Sequence, residues 1–314
     1  MEGFDPAESA AGLRDGLQRV LRQDLMRRGV VLGVSGGVDS AVCVALAAAA
    51  LGPERVLGLL MPETDCPDAV TARGRAACEH FGVPYVMQDI TATLRTLGCY
   101  ELRDEAVRRV FPDYSEGWPM NISLGGSADR DRVSYFRLTV QSPSGERRTR
   151  RMDADVYRQI VAATNMKQRT RKLVEYLHAE SRNFAVLGTP NRLEYDLGFF
   201  VRGGDGLADV KPIAHLYKTQ VYALARHLGV GADVIGLPPS TDTYSLPQTQ
   251  EEFYFGVPLR TMDVVLHGWY AGRPAAELAA EADLAPDQVS RLYRDIERKR
   301  RVAERGLRKA ILLG

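Results

Sequence analysis

Residues 35–40 read Ser-Gly-Gly-Val-Asp-Ser, between an apolar run ending at Val34 and a helical period starting at Val38. After a buried strand, glycines let successive backbone N–H groups converge on one concavity at a helix start, which attracts an anion. Asp39 stands in that helix start. Its carboxylate would repel a phosphate by on the order of 4 kcal/mol for charges about 4 Å apart at an effective dielectric of roughly 20. A divalent cation between them reverses the sign, so loop and acid together predict magnesium with pyrophosphate. The competing reading is that Ser35 or Asp39 simply caps the helix. The loop lacks a Gly-Lys-Ser/Thr ending and the Gly-x-Gly-x-x-Gly spacing of dinucleotide loops.

Further polar residues sit where a sheet would present them. Thr189 follows the apolar run Phe184 to Gly188, and Glu194 lies five residues on. Taken alone, Thr189 fits a turn and Glu194 a solvated helix acid. Lys218 falls near the first turn of "YKTQVYALARHLG", where a cation opposes the helix dipole, and this implies an anionic partner. Arg169 lies among Lys167, Arg171 and Lys172, which reads as a solvated basic face, while Arg202, Asp205 and Asp209 read as turn residues of a Gly-rich loop.

Placing these residues requires a scaffold. Apolar runs at 30–34, 55–61, 84–88 and 184–188 alternate with helical periods at 38–51 and 68–82, which predicts α/β architecture with a doubly wound parallel sheet flanked by helices. In such sheets ligands bind beyond the carboxyl ends of the strands, where Ser35 and Thr189 fall. Residues 101–151 break the alternation: "YFRLTVQSPSGERRTRRM" reads as two strands around a Ser-Pro-Ser-Gly turn, an inserted hairpin or lid. A long helix follows from Asp153 to about Ser181, with Val156, Ile160, Ala163, Leu173 and Leu177 expected inward. The expected organisation is one domain, 1–260 with the insertion, continued by helices over 261–314.

Composition excludes several classes. With 45% hydrophobic and 26% charged residues, and 41 Lys and Arg against 40 Asp and Glu, no global field recruits nucleic acid or a membrane surface. The amino terminus has acids and a helical period but no signal-peptide pattern, and "AVCVALAAAALG" is too short to span a bilayer. Cys43, Cys66, Cys78 and Cys99 form no Cys-x-x-Cys pair, which reads as reduced packing residues and a cytoplasmic protein.

The hexapeptide Ser35 to Ser40 after a strand resembles the PP-loop of ATP pyrophosphatases, which split ATP to AMP and pyrophosphate while adenylating a substrate. Residues 165–229, the "PSTD" at 239–242 and the "ERKRR" at 297–301 resemble the NAD synthetases. The resemblance implies ATP ligands at Gly33, Val34, Ser35, Gly36, Gly37, Val38, Asp39, Ser40, Thr189, Lys218 and Ser240, and magnesium ligands at Asp39 and Glu194. It implies contacts to deamido-NAD from Arg169, Arg202, Asp209, Arg298 and Lys299, and a homodimer. Asp39 and Lys218 would serve the chemistry, with Asp205 or Asp209 deprotonating ammonium.

The implied reaction activates a carboxylate, a poor ammonia acceptor, by attack on the α-phosphate of ATP. Ammonia then expels AMP. With a first strand starting near Val30, no attached glutaminase is expected, and ammonia comes free or from a separate glutaminase. Departures from the family pattern are Pro190 after the threonine, Arg202 for lysine, Ser240 for threonine, Arg298 for histidine and the 101–151 insertion. They motivate a second reading, the same chemistry on another carboxylic acid. A third, a tRNA-modifying PP-loop enzyme, rests on the basic tail "RKRRVAERGLRK", against near-zero net charge and no RNA-binding module.

Overall fold

The computed structural model describes residues 3–125, 135–240 and 243–313. Helix α1 (Pro6–Arg19) starts on Asp5, whose carboxylate accepts the Ala7 and Glu8 N–H groups. Strand β1 (Val30–Gly33) is apolar on both faces, as a central parallel strand requires, and leads into α2 (Val38–Leu51). There follow β2 (Val56–Leu60), α3 (Asp68–His80), β3 (Tyr85–Met87), α4 (Thr91–Thr96) and α5 (Cys99–Arg108). A second sheet comprises β4 (Met120–Gly125), β5 (Tyr135–Gln141) and β6 (Arg147–Arg151). Helix α6 (Ala154–Arg182) returns the chain to β7 (Ala185–Val186) and α7 (Arg192–Leu197). The remainder is α8 (Lys218–His227), α9 (Ala232–Ile235), α10 (Leu259–Tyr270), α11 (Ala275–Ala282) and α12 (Pro286–Leu307).

The first sheet runs β3-β2-β1-β7 with every pair parallel, Val30 facing Val56 on one side and Ala185 on the other. The chain thus leaves β1 toward β2 and later comes back to pair β7 on its opposite edge. That reversal opens a crevice at the carboxyl end of β1. The doubly wound α/β architecture expected from the alternation is observed, with α1, α2 and α8 packed on one face around Leu32, Leu46 and Val221, and α4 to α6 on the other around Val31, Leu59 and Val174.

Two elements differ from expectation. The inserted region holds three antiparallel strands: Met120 to Ser123 pair with Arg137 to Val140, so the stretch before the hairpin contributes β4. Its apolar side, Ile122, Leu138 and Val140, closes over Phe111, Val156 and Ile160. In α6, Val156, Ile160 and Ala163 point inward as expected, but Leu173 and Leu177 are 69% and 60% exposed. The buried stripe continues instead through Lys167, Thr170 and Val174. A lysine can hold that stripe because Glu63 and Asp65, on the loop after β2, reach its ammonium at 3.0 and 2.5 Å. Lys167 and Lys172 are therefore buried and paired rather than part of a solvated basic face.

The carboxyl-terminal helices form a core with Leu193, Leu197 and Phe255 around Met262, Leu266, Leu278, Val289 and Ile296. A buried carboxylate ties this core to the sheet layer: Asp263 of α10 accepts the N–H groups of Lys218 and Thr219, at 3.1 and 2.7 Å, in the first turn of α8. Burial outweighs those two bonds and pushes Asp263 up to about 6. Between its unfolded value near 4 and about 6 the folded chain binds the extra proton, so this group's contribution to stability falls as pH rises through that window. Asp263→Asn is expected to remove that slope. Urea unfolding should show the variant gaining on the wild type by up to about 3 kcal/mol between pH 4 and pH 7, and a difference that is flat with pH would contradict the assignment.

Candidate active site

One cleft of about 1950 Å³ lies across the carboxyl ends of β1, β2 and β7. Ordinary small-ligand pockets hold about 300–1,000 Å³, so this one has room for two large polar substrates. Gly33 through Ser40 form its floor. Gly36 adopts φ +76°, and a side chain there would collide with the Val70 carbonyl of α3. Helix α3 can approach so closely because it has its own glycine at the contact, Gly74, set against the Val34 carbonyl.

The start of α2 has Gly37 as its N-cap and carries no side-chain cap. Ser35 Oγ accepts the Gly37 N–H at 3.4 Å, and Ser40 Oγ donates to the Gly37 carbonyl at 2.9 Å, which shapes the loop from within. Asp39 does not cap the helix. Its carboxylate is held by the Lys218 ammonium and by Asn191 Nδ2, the latter at 3.3 Å. The anionic partner implied for Lys218 is thus supplied by this chain's own loop acid. Burial disfavours the Lys218 ammonium, but the charges of Asp39 and Glu194 more than offset it and hold its pKa above the ordinary value.

Asn191 is the hinge of the arrangement. As N-cap of α7 it forms a reciprocal capping box with Glu194, and its Nδ2 also donates to Glu194 Oε2 at 2.9 Å. Gln250 Nε2 donates to the other carboxylate oxygen at 3.0 Å. Burial, reinforced by the Asp39 charge, pushes the Glu194 carboxyl up to about 8. With Lys218 balancing Asp39, the second carboxyl, Glu194, holds its proton near neutral pH instead of adding a second negative charge. The buried amide oxygen of Gln250 has no hydrogen-bond partner among the described residues. Magnesium takes one or two carboxylates and fills the rest of its shell with phosphate oxygens and water, and Asp39 with Glu194 fits that donor set.

Thr189, Ser240, Arg298 and Lys299 also line the cleft. Residues 241–242 of the "PSTD" stretch lie outside the described residues. Lys299 of α12 donates to the Tyr254 carbonyl at 2.7 Å and pairs with Asp295 at 2.8 Å. Three expected contacts are not brought in. Asp209 points to the sheet instead, accepting the Val186 N–H at 2.7 Å while its own N–H donates to the Val186 carbonyl, so it extends β7. Arg169 and Arg202 are exposed and outside the cleft, joined by Arg169 Nε donating to the Arg202 carbonyl at 3.2 Å. Asp205, in contrast, lines the cleft, with its pKa raised by burial.

Several cleft residues were missed from sequence. Arg73 lies beside Gly36, with its Nε buried and lacking a hydrogen-bond partner among the described residues, positioned for an anion over the loop. Glu175 meets Gly33 and takes the Lys172 ammonium at 2.5 Å. Arg73 stands in no motif, and Asn191 and Glu175, although inside the 165–229 stretch, carry no assigned role there; their long-range neighbours mark all three. Three of the four thiols are held protonated: burial pushes Cys99 up to about 11 and Cys78 to about 12, and raises Cys43 as well. No helix among the described residues is long and apolar enough to cross a membrane.

Against known proteins, a family model described as NAD synthase matches residues 10–110 and 141–303. The "NH(3)-dependent NAD(+) synthetase" of Rhizobium meliloti is 52% identical over 298 residues, covering 95% of this chain and 89% of the relative. That alignment leaves fewer residues out than lie between the two family segments, so this relative shares at least part of the insertion. Two solved structures share the fold: an NMN synthetase from Francisella tularensis (TM-score 0.66, 20% identity, 99% of both chains) and an NH3-dependent NAD synthetase from Campylobacter jejuni (TM-score 0.63, 22% identity, 99% of this chain and 100% of that one).

Gly36→Ala combines left-handed strain of about 1–3 kcal/mol with the collision against Val70. Chemical denaturation should show that loss, and equilibrium dialysis at least a tenfold weaker ATP affinity. Asn tolerates positive φ, so if the collision governs, Gly36→Asn should fail as badly as the alanine variant, and rescue by asparagine would contradict it.

Proposed function

This chain belongs to the NAD synthase family, and from that premise we propose that it uses ATP to join ammonia to the carboxylate of deamido-NAD, giving NAD, AMP and pyrophosphate. The observation that carries the reading is the juxtaposition of an uncapped helix start at the PP-loop with the Asp39, Lys218, Asn191 and Glu194 cluster. Such a pairing serves a polyphosphate with a divalent cation, and it has no evident use for an uncharged ligand.

The substrate carboxylate attacks the α-phosphate of ATP; the bond from that phosphorus to the bridging oxygen breaks, and pyrophosphate leaves. Loop N–H groups from Ser35 to Ser40, together with Arg73, face the departing charge in positions fixed before the reaction, which is where electrostatic stabilisation is strongest. Asp39 and Glu194 are the residues that would hold magnesium, whose charge would neutralise the polyphosphate. Lys218, paired with Asp39 in the cleft, is the ammonium of this chain that would turn to the phosphates if Asp39 held the cation. Ammonia then attacks the acyl-adenylate carbonyl and AMP leaves with the former carboxylate oxygen. Asp205, a cleft carboxyl with raised affinity for protons, is the group that takes the proton from ammonium.

Ammonia reaches the site free or from a separate glutaminase, and the protein works in the cytoplasm as a homodimer. Leu173 and Leu177, in line with Arg169 on one face of α6, are the apolar surface a second copy would cover. On that arrangement Arg169 and Arg202, outside the cleft of one chain, would meet substrate at the dimer contact.

Asp39→Asn, Glu194→Gln and Lys218→Met should each lower kcat/KM for ATP by about 10²–10³-fold, read as pyrophosphate release with ATP, magnesium, ammonium and deamido-NAD. Pyrophosphate release that stays near wild type in the two acid variants would overturn the cation role. Turnover of another carboxylic acid in place of deamido-NAD would keep the chemistry and reassign the substrate.

A further inference from the structure

The inserted sheet touches a segment that follows it by 125 residues. Ser245 Oγ accepts the Met120 N–H at 3.0 Å and the Leu246 N–H donates to the Met120 carbonyl at 3.1 Å, so both backbone groups at the start of β4 are taken by this segment. Tyr244 is buried with Ile122, Leu138, Val140, Val156 and Ile160 in the core beneath the inserted sheet, its ring set edgewise on Phe253 with centroids 5.9 Å apart. Lys167 of α6 donates to the Thr243 carbonyl at 2.9 Å. Three consecutive residues of the segment are thus fixed to the insertion and to the helix beside it.

The far end of the segment lies at the acids of the PP-loop site. The Gln250 N–H donates to the Pro239 carbonyl at 3.0 Å, and Thr249 bridges Ser240 in antiparallel sense, so residues 249–250 are paired to 239–240. Gln250 Nε2 donates to Glu194 Oε1 at 3.0 Å. Gln250 is only 7% exposed, and the oxygen of the same amide has no hydrogen-bond partner among the described residues. Buried polar atoms are rarely left unpaired in folded proteins, and one that is calls for a ligand, an ion or a water. Asp39 and Glu194 already fit a divalent cation, and an amide carbonyl is a hard oxygen donor that adds no negative charge to a site receiving a polyphosphate. A long side chain on a loop serves such a site only if its backbone is held, which the pairing to Pro239 and the anchoring at Met120 both do.

We infer that Gln250 offers its amide oxygen to the divalent cation held by Asp39 and Glu194, and that Tyr244 and Ser245 are positioning residues that keep it there by fixing the segment to the inserted sheet. The inference rests on the cation reading of the site and gives the insertion a role in it. Met120, the anchor point, lies between the two stretches that the family model matches.

The test is Mn²⁺ affinity of the full-length protein in complex with α,β-methylene-ATP, followed by water proton relaxation. Gln250→Met should weaken Mn²⁺ binding by about tenfold, whereas Gln250→Glu, which keeps an oxygen but loses the donor to Glu194, should bind Mn²⁺ at least as tightly as wild type. The double variant Tyr244→Leu with Ser245→Ala should weaken binding about threefold or more, and adding it to Gln250→Met should cost less than about 1.5-fold further, as expected of residues that act through one another. Tyr244 is a core residue, so melting temperature checks the double variant, and Ser245→Ala alone carries the comparison if the double variant fails to fold. In pyrophosphate release the KM for magnesium should rise in parallel, with the KM for deamido-NAD shifting less than twofold. Unchanged Mn²⁺ affinity in Gln250→Met, a Gln250→Glu variant as weak as the methionine one, or losses that multiply when the anchor and Gln250 substitutions are combined would overturn the inference. Absence of a Mn²⁺ site in the wild-type complex would instead defeat the cation reading on which it rests.

Discussion

The structure depends on keeping a carboxylate at the helix start that must receive a polyphosphate. Asp39 is tolerable there because Lys218 and Asn191 hold it, and those partners come from the far side of the crevice opened by the strand reversal at β1. Removing one member of a buried pair typically costs about 3–5 kcal/mol, because the other charge is left uncompensated. The topology is thus tied to the electrostatics: without β7 and α7 beside β1, Asp39 would face the substrate alone. Asp263 extends the same logic outward, fixing the first turn of α8 and hence the lysine it begins with.

Helix α6 is the second organising element. At one end Glu175 meets the loop glycine, and at the other Tyr157 carries the inserted sheet. Midway, Lys167 gathers Glu63 and Asp65, and Asp65 in turn takes Arg103, which also pairs with Asp104 at 2.8 Å. Tyr114, at the base of the insertion, donates to Asp104 at 3.5 Å. A chain of buried charges therefore joins the loop after β2 to the inserted segment through α5 and α6. The arrangement fixes the orientation of the insertion relative to the nucleotide loop, which a purely apolar contact would do less strictly.

Much of the fold was legible because it is local. Unbroken apolar runs at β1 and β2, glycine and proline stops after α2, and the alternation of elements each follow from residues within a few positions of one another. The PP-loop was legible for the same reason, its chemistry lying in six consecutive residues. What the sequence concealed depends on distance. Lys167 looks solvated until Glu63 and Asp65 are placed against it. Asp209 looks like a turn acid of a Gly-rich loop until its carboxylate is seen accepting the Val186 N–H of β7. Leu173 and Leu177 look like core by residue type, yet the inward stripe of α6 runs through polar residues one step around the helix. Strand β4 was hidden by its Gly- and Pro-rich surroundings, and it is specified by pairing with β5 more than by its own composition.

The central claim is that the acid is activated by attack on the α-phosphate of ATP. Its most direct test is oxygen tracing. Deamido-NAD labelled with ¹⁸O in the nicotinate carboxylate would be turned over with unlabelled ATP and ammonium, and the products resolved by mass spectrometry. The account predicts that one labelled oxygen appears in AMP and none in pyrophosphate. Unlabelled AMP, or label in a released phosphate, would contradict the adenylation route.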